Sequence, residues 1–254
     1  RGGGGARGPG GRWGRRTRRG GGVASVCRRS GGAGSLVEQG QFGDAGNELA
    51  TAVTVKDGVV YVAGQDDSQG FLKTFDIDDL SSGPVLDTTI GGAGETTRAA
   101  AIEVDDSGRI FVAGNTTDAT FTGAGVDGRL THSGSNDAFV ARFDGTTGAM
   151  DFGAYVGGAG SDQANGMALA NGEIYLVGET RGELQGNNLV GSQDGFLARL
   201  DANGAPQSVT TMSGINGHAT LTGISVDDSG DSVLTKLGLG HGDIGDLGSL
   251  TVTS

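Results

Sequence analysis

Asp137-Ala138-Phe139-Val140-Ala141-Arg142-Phe143-Asp144 is the stretch that decides the fold. Phe139, Ala141 and Phe143 alternate with other residues, the period of a β-strand rather than of a helix. The pattern returns as Gly70-Phe71-Leu72-Lys73-Thr74-Phe75-Asp76 and as Gly195-Phe196-Leu197-Ala198-Arg199-Leu200-Asp201. Upstream of each copy stands a second apolar signature: Tyr61-Val62-Ala63-Gly64, Phe111-Val112-Ala113-Gly114 and Tyr175-Leu176-Val177-Gly178. A glycine-rich junction, Gly91-Gly92-Ala93-Gly94, recurs as Gly157-Gly158-Ala159-Gly160. Successive copies lie 50 and 64 residues apart for the tetrapeptide, 68 and 57 for the longer strand and 66 for the junction. Ordered motifs at unequal spacing describe one structural unit with loops of different length.

Each unit resolves into four strands. In the second, strands are expected at residues 100–104, 109–114, 137–144 and 149–156, with the turn Asp105-Asp106-Ser107-Gly108 and a long polar loop at 115–136. Asp and Ser bond their own backbone in such a turn, and Gly is free to take positive φ. The first unit gives 50–55, 59–64, 70–76 and 84–90, and the third 166–169, 173–178, 194–201 and 205–212. A fourth begins at 221–226 and returns along 231–235, where Lys236 replaces the glycine of the other units. Four antiparallel strands joined in series by hairpins is the anatomy of a propeller blade. One such sheet is marginal alone, and stacked neighbours bury each other's faces. The expected fold is all-β: β-propeller blades in an incomplete ring, with a β-solenoid as the architectural alternative.

Three segments are expected. Residues 1–37, rich in Gly and Arg, read as a disordered linker or as sequence translated out of frame. Residues 38–235 carry about three and a half blades, and 236–254 begin a further segment. The start at Arg1 and a strand-like end at residues 251–254 suggest a piece of a longer chain. No secretory signal is visible, since the apolar stretch at 23–26 is too brief.

Charge divides unevenly. The 254 residues carry a formal net charge of -12, yet residues 1–30 hold nine basic and no acidic side chains. The remainder is therefore at -21, which repels nucleic acid and anionic membranes. An RNA-binding reading of the head meets that repulsion and a near-absence of aromatics, Trp13 excepted. No apolar run approaches the length of a membrane span. Cys27 is the only cysteine, so the body holds no disulfide, thiol nucleophile or cysteine-ligated metal. This balance suits a secreted or surface-exposed bacterial protein.

The junction Gly157-Gly158-Ala159-Gly160-Ser161-Asp162, the strand-and-turn Val104-Asp105-Asp106-Ser107-Gly108, Phe111-Val112-Ala113-Gly114 and the stretch 137–144 together resemble the bacterial SBBP-type β-propeller repeat over residues 42–235. That resemblance implies the fold and no particular activity. With Leu237-Gly238-Leu239-Gly240-His241-Gly242-Asp243-Ile244 following, the chain is also similar to flagellar regulatory proteins of the FlaEY type, which implies a role in motility.

No catalytic, cofactor-binding or metal-ligating residue is nominated. His132, His218 and His241 have no metal-ligand spacing. Asp227-Asp228-Ser229-Gly230-Asp231 offers oxygens at alternate positions that calcium could use, but lacks the closing Glu of an EF-hand and reads as a hairpin turn. Asp76, Asp144 and Asp201 recur at one repeat position, as a ring of ligands or, preferably, as caps of the turns that follow. The Gly-rich junctions precede neither a helix nor a Lys-Ser/Thr pair, so they are not phosphate loops. Ser25 and the other serines lack an elbow motif. Phe71, Phe139 and Phe196 are expected in the core. The function expected is a non-enzymatic scaffold binding a protein partner through loops 115–136 and 179–193. The alternative is a carbohydrate-binding, metal-binding or hydrolytic propeller with an axial site.

Overall fold

The second strand of each unit holds an unbroken apolar run, at 59–63, 110–113 and 174–177, so it requires neighbours on both faces. The computed structural model describes residues 24–30, 35–43, 46–120, 132–213, 217–227, 232–237 and 251–252, and shows how that demand is met. A hairpin of β1 (Ala24–Ser30) and β2 (Ser35–Phe42) precedes three antiparallel four-stranded sheets. The first sheet is β3 (Glu48–Lys56), β4 (Val59–Asp66), β5 (Gln69–Asp76) and β6 (Leu86–Ile90). The second is β7 (Thr97–Val104), β8 (Ile110–Thr116), β9 (Asp137–Phe143) and β10 (Met150–Val156). The third is β11 (Asp162–Ala170), β12 (Glu173–Thr180), β13 (Asp194–Leu200) and β14 (Pro206–Met212). A last sheet holds β15 (Thr220–Val226), β16 (Ser232–Leu237) and the two-residue β17 (Thr251–Val252). Within each complete sheet the strands lie in chain order. These are the blades of a propeller-type, all-β fold.

The cores lie between sheets. Ile110 and Val112 point toward the first blade and pack with Tyr61, Ala63 and Leu72. Phe111 and Ala113, their neighbours along β8, point toward the third and pack with Met167, Leu176 and Phe196. Strand β8 is thus buried on both faces. Phe71, Phe139 and Phe196 are all in the core, at 3%, 0% and 0% exposure, and each faces the preceding layer. Burying one such ring contributes on the order of 2–3 kcal/mol.

The structure explains the glycine that closes each apolar tetrapeptide. Every inner strand carries a β-bulge: between Ala50 and Ala52, Ala99 and Ala101, and Ala164 and Gly166. The residue before each bulge pairs with Gly64, Gly114 or Gly178. A Cβ there would collide with the carbonyl oxygen of Leu49, Arg98 or Gln163 respectively. At Gly64 and Gly178 it would also meet the ring of Phe71 or Phe196, the cross-strand neighbour. In the last sheet the bulge persists between Leu221 and Gly223, with Lys236 opposite Leu221.

Two expectations change. The inner strands begin at Glu48, Thr97 and Asp162, several residues earlier than expected, because the bulge breaks the period-two signal. Residues 24–30 and 35–42 pair as a hairpin inside the segment 1–37 expected to be unstructured and a little beyond it. Arg28, Arg29, Glu38 and Gln39 at paired positions hide the strand pattern there. Residues 1–23 and most of 236–254 lie outside the described residues.

Gly114→Ala is expected to destabilise the chain by about 1–3 kcal/mol, as overpacking does. A urea midpoint unchanged by the substitution would show that the bulge is not fixed by that glycine.

Candidate functional site

The connections from second to third strand all leave the same end of the blades. In the first blade this is a tight turn between Asp66 and Gln69. In the second and third it is a long insertion, between Thr116 and Asp137 and between Thr180 and Asp194. Residues 121–131 of the first insertion lie outside the described residues. Its two ends are firmly built. Asp118, 4% exposed, accepts from Gly92 N at 2.6 Å through Oδ2. Its Oδ1 accepts from the Thr120 amide at 2.8 Å and the Thr120 hydroxyl at 2.7 Å. Burial opposes its ionisation, but those donors outweigh burial and hold the carboxyl below the ordinary carboxylate value. The Tyr155 hydroxyl donates to Asp118 O at 2.6 Å. His132 stands edge-on to the Tyr155 ring, with centroids 5.4 Å apart.

At the returning end, the insertion clasps the glycine-rich junction that follows the second blade. Asp137, fully buried, accepts from Ser133 N at 2.6 Å, and the Ser133 hydroxyl donates to Gly158 O at 3.0 Å. Asp162 N donates to Asn136 O at 2.7 Å, and Gly158 N donates to Asp162 Oδ2 at 2.9 Å. Gly157 is required here, since a Cβ would sit against the Asp137 carboxylate, and a Cβ on Gly158 would collide with Glu183 O. The same clasp joins each blade to the next. Thr97 N donates to Ser68 O at 2.8 Å, and Ala219 N to Gln193 O at 3.0 Å. Asp194, also fully buried, accepts from Val190 N at 2.9 Å, as Asp137 does from Ser133. Gln193 and Thr220 converge on Glu179 Oε2 at 3.0 and 2.8 Å, and Ser192 Oγ lies 2.8 Å from His218 Nε2.

Burial dominates the electrostatics of this layer. It pushes the Asp137 carboxyl up to about 6, the nearby Asp162 adding to the rise and the Ser133 amide and His132 opposing it. It also raises Asp162, against the Thr180 hydroxyl and the Gly158 amide. Asp137 Oδ1 and His132 Nε2 are buried without a hydrogen-bond partner. An ionised oxygen so placed is costly.

The carboxylates singled out from the sequence lie at the opposite end and act locally. Asp76 accepts from Asp78 N, Asp144 from Thr146 and Thr147, and Asp201 from Asn203 and Ala205. The Thr147 amide and hydroxyl hold the Asp144 carboxyl below its ordinary value. Asp105 caps its turn through Ser107 N and Arg109 N, at 2.9 and 3.0 Å. Residues 228–231 and His241 lie outside the described residues. Among the described residues, no three His, Cys, Asp or Glu side chains converge as metal ligands. A cleft of about 250 Å³ opens at this end, lined by Glu103, Asp105, Arg109, Phe111 and Glu173. It is smaller than the ~300–1,000 Å³ of small-molecule sites. The carboxylates that sequence reasoning passed over are Asp137, Asp162 and Asp194. The signal was available, because Asp137-Ala138-Phe139 and Asp194-Gly195-Phe196 place Asp at one repeat position.

Blades in series, with insertions gathered at one end, define a propeller-type repeat protein with a built loop face. No family model matches the chain. It is 29% identical over 232 aligned residues to the regulatory protein FlaEY of Caulobacter vibrioides, covering 80% of this chain and 24% of that protein. The chain thus spans about a quarter of that relative. Among solved structures it is similar to a quinohemoprotein alcohol dehydrogenase of Pseudomonas putida HK5, with TM-score 0.39 and 15% identity, over 72% of this chain and 30% of that one. It is likewise similar to a xylan β-1,4-xylosidase of Bacillus halodurans C-125, with TM-score 0.39 and 13% identity, over 74% and 37% of the two chains.

The raised carboxyl of Asp137 fixes a pH dependence. Its folded-state value lies above the ordinary one, so the folded chain keeps a proton that the unfolded chain has released. The stabilisation is full below about pH 4 and is lost as pH rises through about 6. The melting temperature should therefore fall between about pH 4 and pH 6.5 and level off above it. Asp137→Asn should flatten that slope and gain on the order of 1 kcal/mol at the upper end. A slope retained in the variant would assign it to other groups.

Proposed function

We propose that this chain is a non-enzymatic propeller scaffold whose loop face binds a protein partner in motility regulation at the bacterial surface. The observation that carries the reading is the pair of insertions, at 117–136 and 181–193, emerging from the same end of adjacent blades. Each insertion returns to its blade through a buried Asp cap. Recognition commonly sits in variable loops on a rigid frame, and here the first blade shows that the frame does not need the insertion. The likeness to a protein named as regulatory supports a regulatory role, and the resemblance to flagellar regulators of the FlaEY type gives its direction. The SBBP-type repeat belongs to the same reading, as the motif series that supplies the blades. The acidic body favours a partner with a basic patch.

Replacing residues 121–131 with a short Gly-Ser turn leaves Asp118, Thr120, His132 and Ser133 in place. The expected result is an unchanged melting curve together with lost swimming and altered flagellin levels in the host. Normal motility from a folded variant would refute the loop as the recognition element.

A further inference from the structure

At the end of the blades away from the insertions, one joint between blades is plugged and the next is open. Between the first and second blades Lys56 crosses the joint. Its ammonium donates to Val104 O at 3.3 Å and to Asp106 Oδ1 at 2.6 Å. Thr54 pairs Tyr61 as Glu103 pairs Phe111, so Asp105 holds the repeat position of Lys56 in the following joint. Asp105 turns back on its own corner instead, accepting from Ser107 N, Arg109 N and Arg109 Nε. Among the described residues no lysine enters this second joint, and the cleft of about 250 Å³ lies in it.

Glu103 departs from the repeat. It stands opposite Phe111, where the other sheets place Thr54 opposite Tyr61, Ala168 opposite Tyr175 and Ser225 opposite Val233. Ile102 and Val104 pack toward the first blade, so Glu103 between them faces the third. It is half-buried and makes no hydrogen bond or ion pair among the described residues. Burial pushes its carboxyl above the ordinary value. The other carboxylates lining the cleft are engaged. Asp105 pairs with Arg109 and Asp106 with Lys56, while Glu173 has Arg199 at 3.6 Å and the Tyr175 hydroxyl at 2.9 Å.

The rest of the lining suits an aliphatic stem. Phe111, Leu169 and Ile174 supply apolar walls. Leu169 pairs Ile174 as Val104 pairs Ile110, so it holds the repeat position of the residue whose carbonyl receives Lys56. The open joint thus combines a strand-end carbonyl position with a carboxylate, the two acceptors that Lys56 finds in its own joint. A cleft below the usual size of small-molecule sites takes a single extended chain with a charged end rather than a ring system.

We propose that this cleft binds a primary alkylammonium group, carried by a free amine or by a lysine side chain. The ammonium donates to the Glu103 carboxylate and to Leu169 O, and the stem lies against Phe111, Leu169 and Ile174. The ligand supplies to the second joint what Lys56 supplies to the first. A charge-assisted hydrogen bond to a carboxylate drawn partly out of water is stronger than one at an open surface. The site lies at the opposite end of the blades from the insertions, so it is separate from the loop face and does not depend on what that face binds.

Titration of the isotope-labelled chain in about 150 mM salt, followed through backbone amide shifts, tests this. The probes are n-butylammonium, n-butanol and Nα-acetyl-lysine methylamide. The expected result is a saturable shift at Glu103, Leu169 and Asn171 with n-butylammonium, at a Kd on the order of 1–10 mM. The uncharged n-butanol, with the same stem, should give none. Glu103→Gln keeps the side chain's shape, should melt no lower than the native chain, and should weaken binding at least about tenfold. A native chain that shows no saturation up to about 100 mM overturns the proposal. Binding that survives Glu103→Gln overturns it too, by placing the cation elsewhere on the acidic body, and equal binding of n-butanol reduces the cleft to an apolar crevice. Two further patterns uphold the site and identify its source. Nα-acetyl-lysine methylamide binding as tightly as n-butylammonium assigns it to a partner's lysine, and binding of n-butylammonium alone assigns it to a free amine.

Discussion

Every sheet in this molecule depends on apolar layers meeting its two faces, because its second strand offers no polar side to water. Strand β8 divides its side chains evenly, Ile110 and Val112 toward one neighbour and Phe111 and Ala113 toward the other. Stability is accordingly a property of the stack and not of a blade. Removing one neighbour exposes apolar surface on the next, as Val53 and Val55 of β3 show at 63% and 54% exposure.

Face-to-face packing alone would let blades slide. Two polar devices fix their relative position. One is the clasp from the lead-in of each third strand to the start of the next inner strand: Ser68 to Thr97, Asn136 to Asp162, Gln193 to Ala219. The other crosses between inner strands. The Thr51 hydroxyl donates to Ala99 O at 2.7 Å, and Asn165 Nδ2 to Leu221 O at 3.1 Å. Both side chains sit in the β-bulge, whose extra residue turns toward the next blade. The bulge thus does two jobs, demanding glycine on one side and supplying a polar tether on the other.

The sequence made the blades legible because their signal is local. Phe139, Ala141 and Phe143 announce a strand without reference to anything distant, and the Asp144 and Asp201 turns follow from side chain–backbone bonds within a few residues. What escaped was non-local. The inner strands were shortened because a bulge shifts the alternation by one. The β1–β2 hairpin was missed because a pairing register leaves no trace in composition when the paired residues are Arg and Glu. The burial of Asp137 and Asp162 depends on two junctions 25 residues apart meeting, which no window of sequence displays.

The Asp caps on the long insertions separate two properties that are coupled in most sheets. With each insertion ending at a blade of fixed geometry, the free energy of closing it grows only logarithmically with its length. The first blade bridges the same joint in a tight turn. Such a joint tolerates growth, shrinkage or replacement of its contents across generations while the rest of the chain stays under unchanged selection. Repetition of the blade multiplies the number of these joints, so an array of this kind can acquire new surfaces one insertion at a time.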